Sequence, residues 1–344
     1  LFVKRLRCPR RQCAPSRIAL ALLFAPLVSS CDDDYADAPR YQLPLGAEDG
    51  RSIQSTVVPA EDGRLLLDFP SDLRGFLVLA TSAETGGTVR IDQLIGADGA
   101  TIVDDGVFWL GDGTRKASNS SALALALPNH DVSVSAGGLW RLQFGEPVPA
   151  NVEVWTAMEA EGPRRVDVRV LASEIRLFET DLALRVEGAL RLLDLELGDL
   201  RVELAPLSDT VSLADIDNEL ERIPAGPAGS LTIALYASIS GASGYARIPG
   251  VPRSGTRPGA IAVVDGFGSL LLAHEIGHFV GLHHPTDETG HDLLDSTPEC
   301  ALEVFEEDPE SCPDLDNLMA PHPIDTKLTD EQRYVIAHSL IWHR

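Results

Sequence analysis

From Ile53 to Met158 apolar residues alternate with polar ones, as in Val89-Arg90-Ile91-Asp92, Asp131-Val132-Ser133-Val134 and Trp140-Arg141-Leu142-Gln143-Phe144. A period of two sends successive side chains to opposite faces of an extended chain, so these runs predict half-buried strands. Glu61-Asp62-Gly63, Gly86-Gly87, Asp98-Gly99, Gly111-Asp112-Gly113 and Gly137-Gly138 punctuate them as turns. Short strands at this spacing predict an all-β, sandwich-like domain over 47–162. Its His130 stands alone and marks no site.

After Glu159-Ala-Glu-Gly-Pro163 the period changes. Val166, Val168 and Val170 alternate with charge and predict a strand; Leu182, Val186, Ala189, Leu190 and Leu193 fall at helical spacing and predict an amphipathic helix over 181–194. A second strand is expected at 202–204 and a helix opening at Ser212 with Leu213, Ile216, Leu220 and Ile223 on one face. The apolar runs 231–239 and 261–264 read as buried strands, and the Gly-, Pro- and Ser-rich stretch 241–259, with Tyr245, as a loop or irregular edge strand. Ser269 to Phe279 is helical in pattern, and Thr329-Asp-Glu-Gln332 is a capping box opening a last helix. The expected class is α+β, with a mixed domain over 163–344 behind the sandwich.

Composition fits a folded chain, with 44% hydrophobic and 23% charged residues among 344. Charge changes the picture more. With 28 Lys+Arg against 52 Asp+Glu the formal charge is −24, which argues against phosphate neutralisation and so against nucleic acid as a partner. Residues 1–30 contain six of the basic residues and no acid, followed by an apolar stretch from Ile18 to Val28. That is a signal segment, too short to span a bilayer. It ends Leu27-Val28-Ser29-Ser30-Cys31, which resembles the lipobox of bacterial lipoproteins. The expectation is a lipid on Cys31, an acidic tether over 31–46, and a location in the cell envelope or at the cell surface, with membrane contact through the lipid only. Ordinary cleavage near Ser30 and secretion is the alternative. The remaining chain carries 22 basic against 52 acidic residues, a net of −30, which steers basic peptides weakly at long range. Beyond Cys31 only Cys300 and Cys312 remain; in an exported chain they are most simply a disulfide, and without C-x-x-C spacing they make a weak metal pair.

The chemistry concentrates in His274-Glu275-Ile276-Gly277-His278-Phe279-Val280-Gly281-Leu282-His283-His284. Histidines at i and i+4 share a helical face and can hold one Zn²⁺, and Glu275 can reach its water. Gly281 can end the helix with φ > 0 and let His284 return as third ligand, with His283 as a neighbour. Three protein ligands leave a fourth position open, as hydrolysis requires. Composition alone produces H-E-x-x-H-x-x-G-x-x-H in a chain like this with a chance of roughly a few in a hundred thousand.

This motif resembles that of the metzincin clan of zinc endopeptidases, whose further mark is a methionine turn under the metal. Met319, in Asp316-Asn317-Leu318-Met319-Ala320, lies 35 residues after His284 and looks like that turn. The segment from Asp295 through Cys300, Cys312 and Asn317-Leu318-Met319 is similar to pappalysin-like bacterial members, and Leu318-Met319-Ala320-Pro321 also resembles matrixins. The resemblance covers roughly 164–344. It implies an endopeptidase acting on proteins or peptides, with Zn²⁺ on His274, His278 and His284 and with Glu275 as general base. Where astacin-like members place a metal-binding tyrosine, this chain has Pro321, and between Cys31 and Cys300 no cysteine is present for matrixin-type latency. His291 and His322 flank the cleft in sequence. Asp292, Asp295, Asp314 and Asp316 offer oxygens of the kind Ca²⁺ takes, although loops in so acidic a chain need no metal. Two further roles stay open for the sandwich: a surface binding module with the zinc domain as scaffold, or a prodomain over the cleft.

Overall fold

A computed structural model describes residues 35, 38–43, 53–82, 88–110, 113–116, 118–119, 122–127, 137–149, 151–158, 161–174, 179–224, 230–250, 259–287, 290–292, 294 and 296–343. The signal segment, Cys31, His130, the strand expected at 131–134 and Asp295 lie outside these residues. Asp37–Arg344 form one compact unit.

Alternation produces two sheets in the first half. One orders Arg40–Gln42, Arg64–Phe69, Gly138–Phe144, Val89–Ile95, Thr101–Asp104, Val107–Leu110 and Gly113–Lys116; the other orders Ala122–Leu127, Leu73–Thr81, Asn151–Met158 and Ile53–Pro59. In Arg64–Phe69 the residues Leu65, Leu67 and Phe69 are buried and their neighbours half-buried, as a period of two requires. Phe76 of the second sheet stacks on Phe69 and meets Trp140 of the first edge to face, with ring centroids 4.4 and 5.0 Å away, so the sheets share one core. Within the stretch read as a tether, Arg40–Gln42 is a strand pairing parallel with Arg64–Phe69, because Leu43 finds a buried place and the Tyr41 hydroxyl donates to the Pro59 carbonyl at 3.2 Å.

Leu73–Thr81 breaks the alternation: Leu73 to Ala80 are all buried. Phe76, Val78 and Ala80 face the sandwich core, whereas Leu77 and Leu79 join Trp155, Ala157 and Leu340 in a separate cluster. The C-terminal segment thus covers the outer face of this sheet. The buried Arg74 donates to the Trp342 carbonyl at 3.1 Å and lies 3.5 Å over its ring, and Arg165 and His343 exchange backbone hydrogen bonds at 2.8 Å.

The second half is built on a five-stranded sheet in the order Glu196–Leu204, Arg165–Ala172, Ser230–Tyr236, Ala260–Val264, Gly244–Tyr245. The first four run parallel and the last antiparallel. Parallel neighbours need long crossovers, supplied in part by helices. Glu179–Leu192 and Ser269–Val280 pack on one face through Val186, Leu190, Ala273 and Ile276, and Ile216–Glu221 packs on the other through Ile216 and Leu220. The arrangement is mixed α/β.

Three sequence expectations shift. Ser212 ends the strand Thr210–Ser212 rather than opening a helix, because its hydroxyl donates to the Asp215 carboxylate at 2.6 Å and makes a turn; Leu213 is then 42% exposed, and the helix begins at Ile216. The run 231–239 divides at Ala237, whose N–H goes to the Asp209 carbonyl, so that Ser238–Ser240 pairs with Thr210–Ser212 instead of the main sheet. The strand expected at 202–204 begins at Glu196. Cys300 and Cys312 are joined as a disulfide. No helix among the described residues is long and apolar enough to cross a membrane.

Candidate metal centre

The site helix Ser269–Val280 is buried from Leu272 to its end. Ser269 fastens its start by donating to the Arg185 carbonyl of the neighbouring helix at 2.9 Å. Gly281 closes it with φ 114°, a conformation in which a Cβ would clash with its own backbone. The Leu282 N–H reaches back to the Gly277 carbonyl at 2.9 Å, and the chain reverses. That reversal places the Leu282 carbonyl 2.8 Å from His278 Nδ1 and returns His284 to the helix.

His274, His278 and His284 come together, with their ligand atoms all within 4.8 Å of one another. His284 Nε2 is 3.0 Å from His278 Nε2 and 3.3 Å from His274 Nε2. His274 Nδ1 lies 2.8 Å from the Leu318 carbonyl, as His278 Nδ1 does from that of Leu282. A carbonyl only accepts, so both Nδ1 atoms carry the proton and both Nε2 atoms turn a lone pair toward the common point. Converging lone pairs repel one another unless a cation lies among them. Burial lowers the pKa of His274 to about 4, and burial with the neighbouring histidines holds His278 well below its ordinary range, so both rings are kept in the neutral form that binds metal. The donor set of three imidazoles fits Zn²⁺.

These shifts carry a stability prediction for the metal-free protein. Between the ordinary histidine value of 6.5 and about 4 the unfolded chain binds a proton at position 274 that the folded chain does not. Stability is therefore complete above pH 6.5 and is lost as pH falls toward 4, by about 3 kcal/mol for this residue. Urea titrations of the metal-free chain and its His274→Gln variant at pH 7 and pH 4.5 measure the loss as the change in the difference between the two proteins, which cancels the opposing titration of other buried groups; a difference that does not move with pH would contradict it.

Glu275 follows the first histidine, is 5% exposed, and has its pKa pushed up to about 8 by burial. It shares a cleft of about 1160 Å³ with the three histidines. The edge strand Gly244–Tyr245 forms part of the wall, and a Cβ at Gly244 would overlap the Glu275 carboxylate. That strand is anchored from below: Tyr245 Oη and Arg247 Nε each donate to Asp217 Oδ1 at 2.8 Å, and the second guanidinium arm pairs with Oδ2. Among the described residues that line the cleft, Glu275 is the one Asp, Glu, Lys or Arg, and Leu213, Ile239, Ile248, Leu270, Leu271 and Ile324 supply apolar surface.

No family model matches the chain, and no curated protein matches it. Among solved structures the chain is similar to archaemetzincin from Methanopyrus kandleri, at 15% identity over 51% of this chain and 88% of that one, with a TM-score of 0.29. It is also similar to metalloproteinase-II from Bacteroides fragilis, at 12% identity over 48% of this chain and 63% of that one, with a TM-score of 0.27.

Met319 is fully buried with its sulphur against Gly277 of the site helix, and Leu318 beside it supplies the carbonyl to His274. His283 is half-buried next to His284 and outside the converging set. His322 lines the cleft and is exposed; the His291 side chain lies outside the described residues. Asp292 and Asp314 are buried and Asp316 pairs with Lys327, but among the described residues the three histidines are the group of metal-type side chains that converges. Sequence reasoning missed Gly244, Asp217 and the partnership of Asn317 with Gln332. Only Gln332 carried a signal, as the last residue of the capping box.

Proposed function

We propose that this chain is an exported, lipid-anchored zinc endopeptidase of metzincin type, with a catalytic domain over 163–344 behind the β-sandwich and a lipid on Cys31. One observation carries the catalytic part: two buried imidazoles, each fixed by a backbone carbonyl at Nδ1, turn their Nε2 atoms toward that of a third beside a buried carboxylate. His274, His278 and His284 would hold the ion. Bound there, Zn²⁺ supplies Lewis acidity toward a peptide carbonyl and toward water. Glu275 takes the proton of the attacking water and passes it to the departing amine nitrogen as the C–N bond breaks. Gly244–Tyr245, the last strand of the sheet, offers its outer edge to an extended peptide laid along the cleft. All of the cleft's described lining comes from residues 213–324.

The apolar residues of the described lining favour bulky apolar side chains beside the scissile bond. Burying a Leu or Phe there is worth about 1.5–3 kcal/mol, so peptides carrying them are expected to be cut at least about tenfold faster than peptides with Arg or Asp at the same place. Mass-spectrometric profiling of a peptide library reads this, and a preference for charged residues would reverse the assignment. The function itself is tested by incubating the chain without residues 1–31 and its Glu275→Ala variant with a denatured protein. Cleavage by the first alone supports the reading; equal cleavage by both ends it.

A further inference from the structure

We infer that Asn317 and Gln332 are positioning residues of the metal centre, which hold the Leu318 carbonyl against His274 Nδ1 and so fix the tautomer of the first ligand. The inference rests on the metal-binding reading of the three histidines. Its basis is one peptide plane. The Leu318 carbonyl and the Met319 N–H belong to the same planar trans unit and point in opposite directions. The carbonyl end meets His274 Nδ1 at 2.8 Å, and the N–H end donates to Asn317 Oδ1 at 2.8 Å. Whatever holds Asn317 therefore sets the angle at which the carbonyl meets the ring.

Gln332 holds it. Asn317 Nδ2 donates to Gln332 Oε1 at 3.0 Å and Gln332 Nε2 donates to Asn317 Oδ1 at 3.1 Å, a reciprocal amide pair between side chains that are 3% and 0% exposed. Gln332 is itself fixed by the start of the last helix: its Oε1 also accepts from the Thr329 N–H at 3.0 Å, and its own N–H donates to Thr329 Oγ1 at 3.2 Å. A capping box needs only those last two bonds. The amide pair is additional, and it leads to the ligand. Buried polar networks with all members bonded are stiff, and groups that orient a metal-bound histidine typically change metal affinity 10–100-fold when removed.

The test measures Zn²⁺ affinity of the metal-free full chain by competition with a chelator, without reference to turnover. Gln332→Met keeps volume and charge while removing both hydrogen bonds to Asn317 together with the one from the Thr329 N–H; Asn317→Ala removes the clamp on Met319. Each is expected to weaken Zn²⁺ binding 10–100-fold. The double variant is expected to be no weaker than Asn317→Ala, because the two act as one unit. Val335→Ala, a buried position on the same helix outside the network, is expected to lower thermal stability while leaving Zn²⁺ affinity within about twofold. In ¹⁵N NMR of the metal-free protein, His274 is expected as the Nδ1–H tautomer in the wild type and as a mixture in Gln332→Met. Unchanged affinity in Gln332→Met and Asn317→Ala, or a loss matched by Val335→Ala, overturns the inference. Failure of the wild type to take up Zn²⁺ overturns the metal-binding reading instead.

Discussion

Replacing Glu275 with glutamine is expected to slow peptide cleavage by roughly 10²–10⁴-fold, the usual weight of a general base, and to make the metal-free protein more stable. The two effects share a cause. Burial raises the pKa of Glu275 to about 8 from an ordinary 4.5, so the folded chain keeps a proton that the unfolded chain releases between those values. A carboxyl with a raised folded pKa supports folding fully below pH 4.5 and progressively less as pH climbs to 8. Glutamine does not ionise and escapes this loss. The stabilisation of Glu275→Gln is expected to be near zero at pH 4.5 and about 4 kcal/mol at pH 8, measured by urea unfolding after chelation. Bound zinc shrinks the difference, since a cation beside the carboxylate favours its charged form. Retained activity, or a variant less stable at pH 8, contradicts the role given to Glu275.

Trp342→Ala is expected to destabilise Asp37–Arg344 as one body, by about 3–5 kcal/mol. The ring is 3% exposed, its Nε1 donates to the Ala337 carbonyl at 3.1 Å, and the guanidinium of the buried Arg74 lies on its face. Alanine leaves a cavity and deprives a buried cation of the ring's negative face. The same segment places Leu340 on the outer face of Leu73–Thr81 and ties His343 to Arg165. One shifted thermal transition with one lowered midpoint is expected. Two separate transitions, with the αβ half alone affected, would show that the sandwich folds independently of the site-bearing half.

What could be read from the sequence was local. The site helix, its glycine stop and the capping box each depend on residues within about a dozen positions, where periodicity and φ preference act directly, whereas Met319 was singled out by resemblance alone. The disulfide was expected from the two cysteines that remain beyond Cys31. The split of 231–239 was not legible because it depends on Asp209, a partner brought in by a different turn. Arg74 belongs to no motif or periodic pattern, and only the fold sets it against Trp342, 268 positions away. Gly244 likewise reads as one glycine among several in a loop, and only the fold sets Glu275 against it. Local pattern placed the chemistry, while long-range packing decided what holds it.

The most direct test is X-ray absorption at the zinc edge on the zinc-loaded chain. Three imidazole nitrogens at about 2.0–2.1 Å with one further light atom from solvent are expected. A shell with sulphur, with fewer than three imidazoles, or with four protein ligands contradicts an open three-histidine centre, and with it the hydrolase.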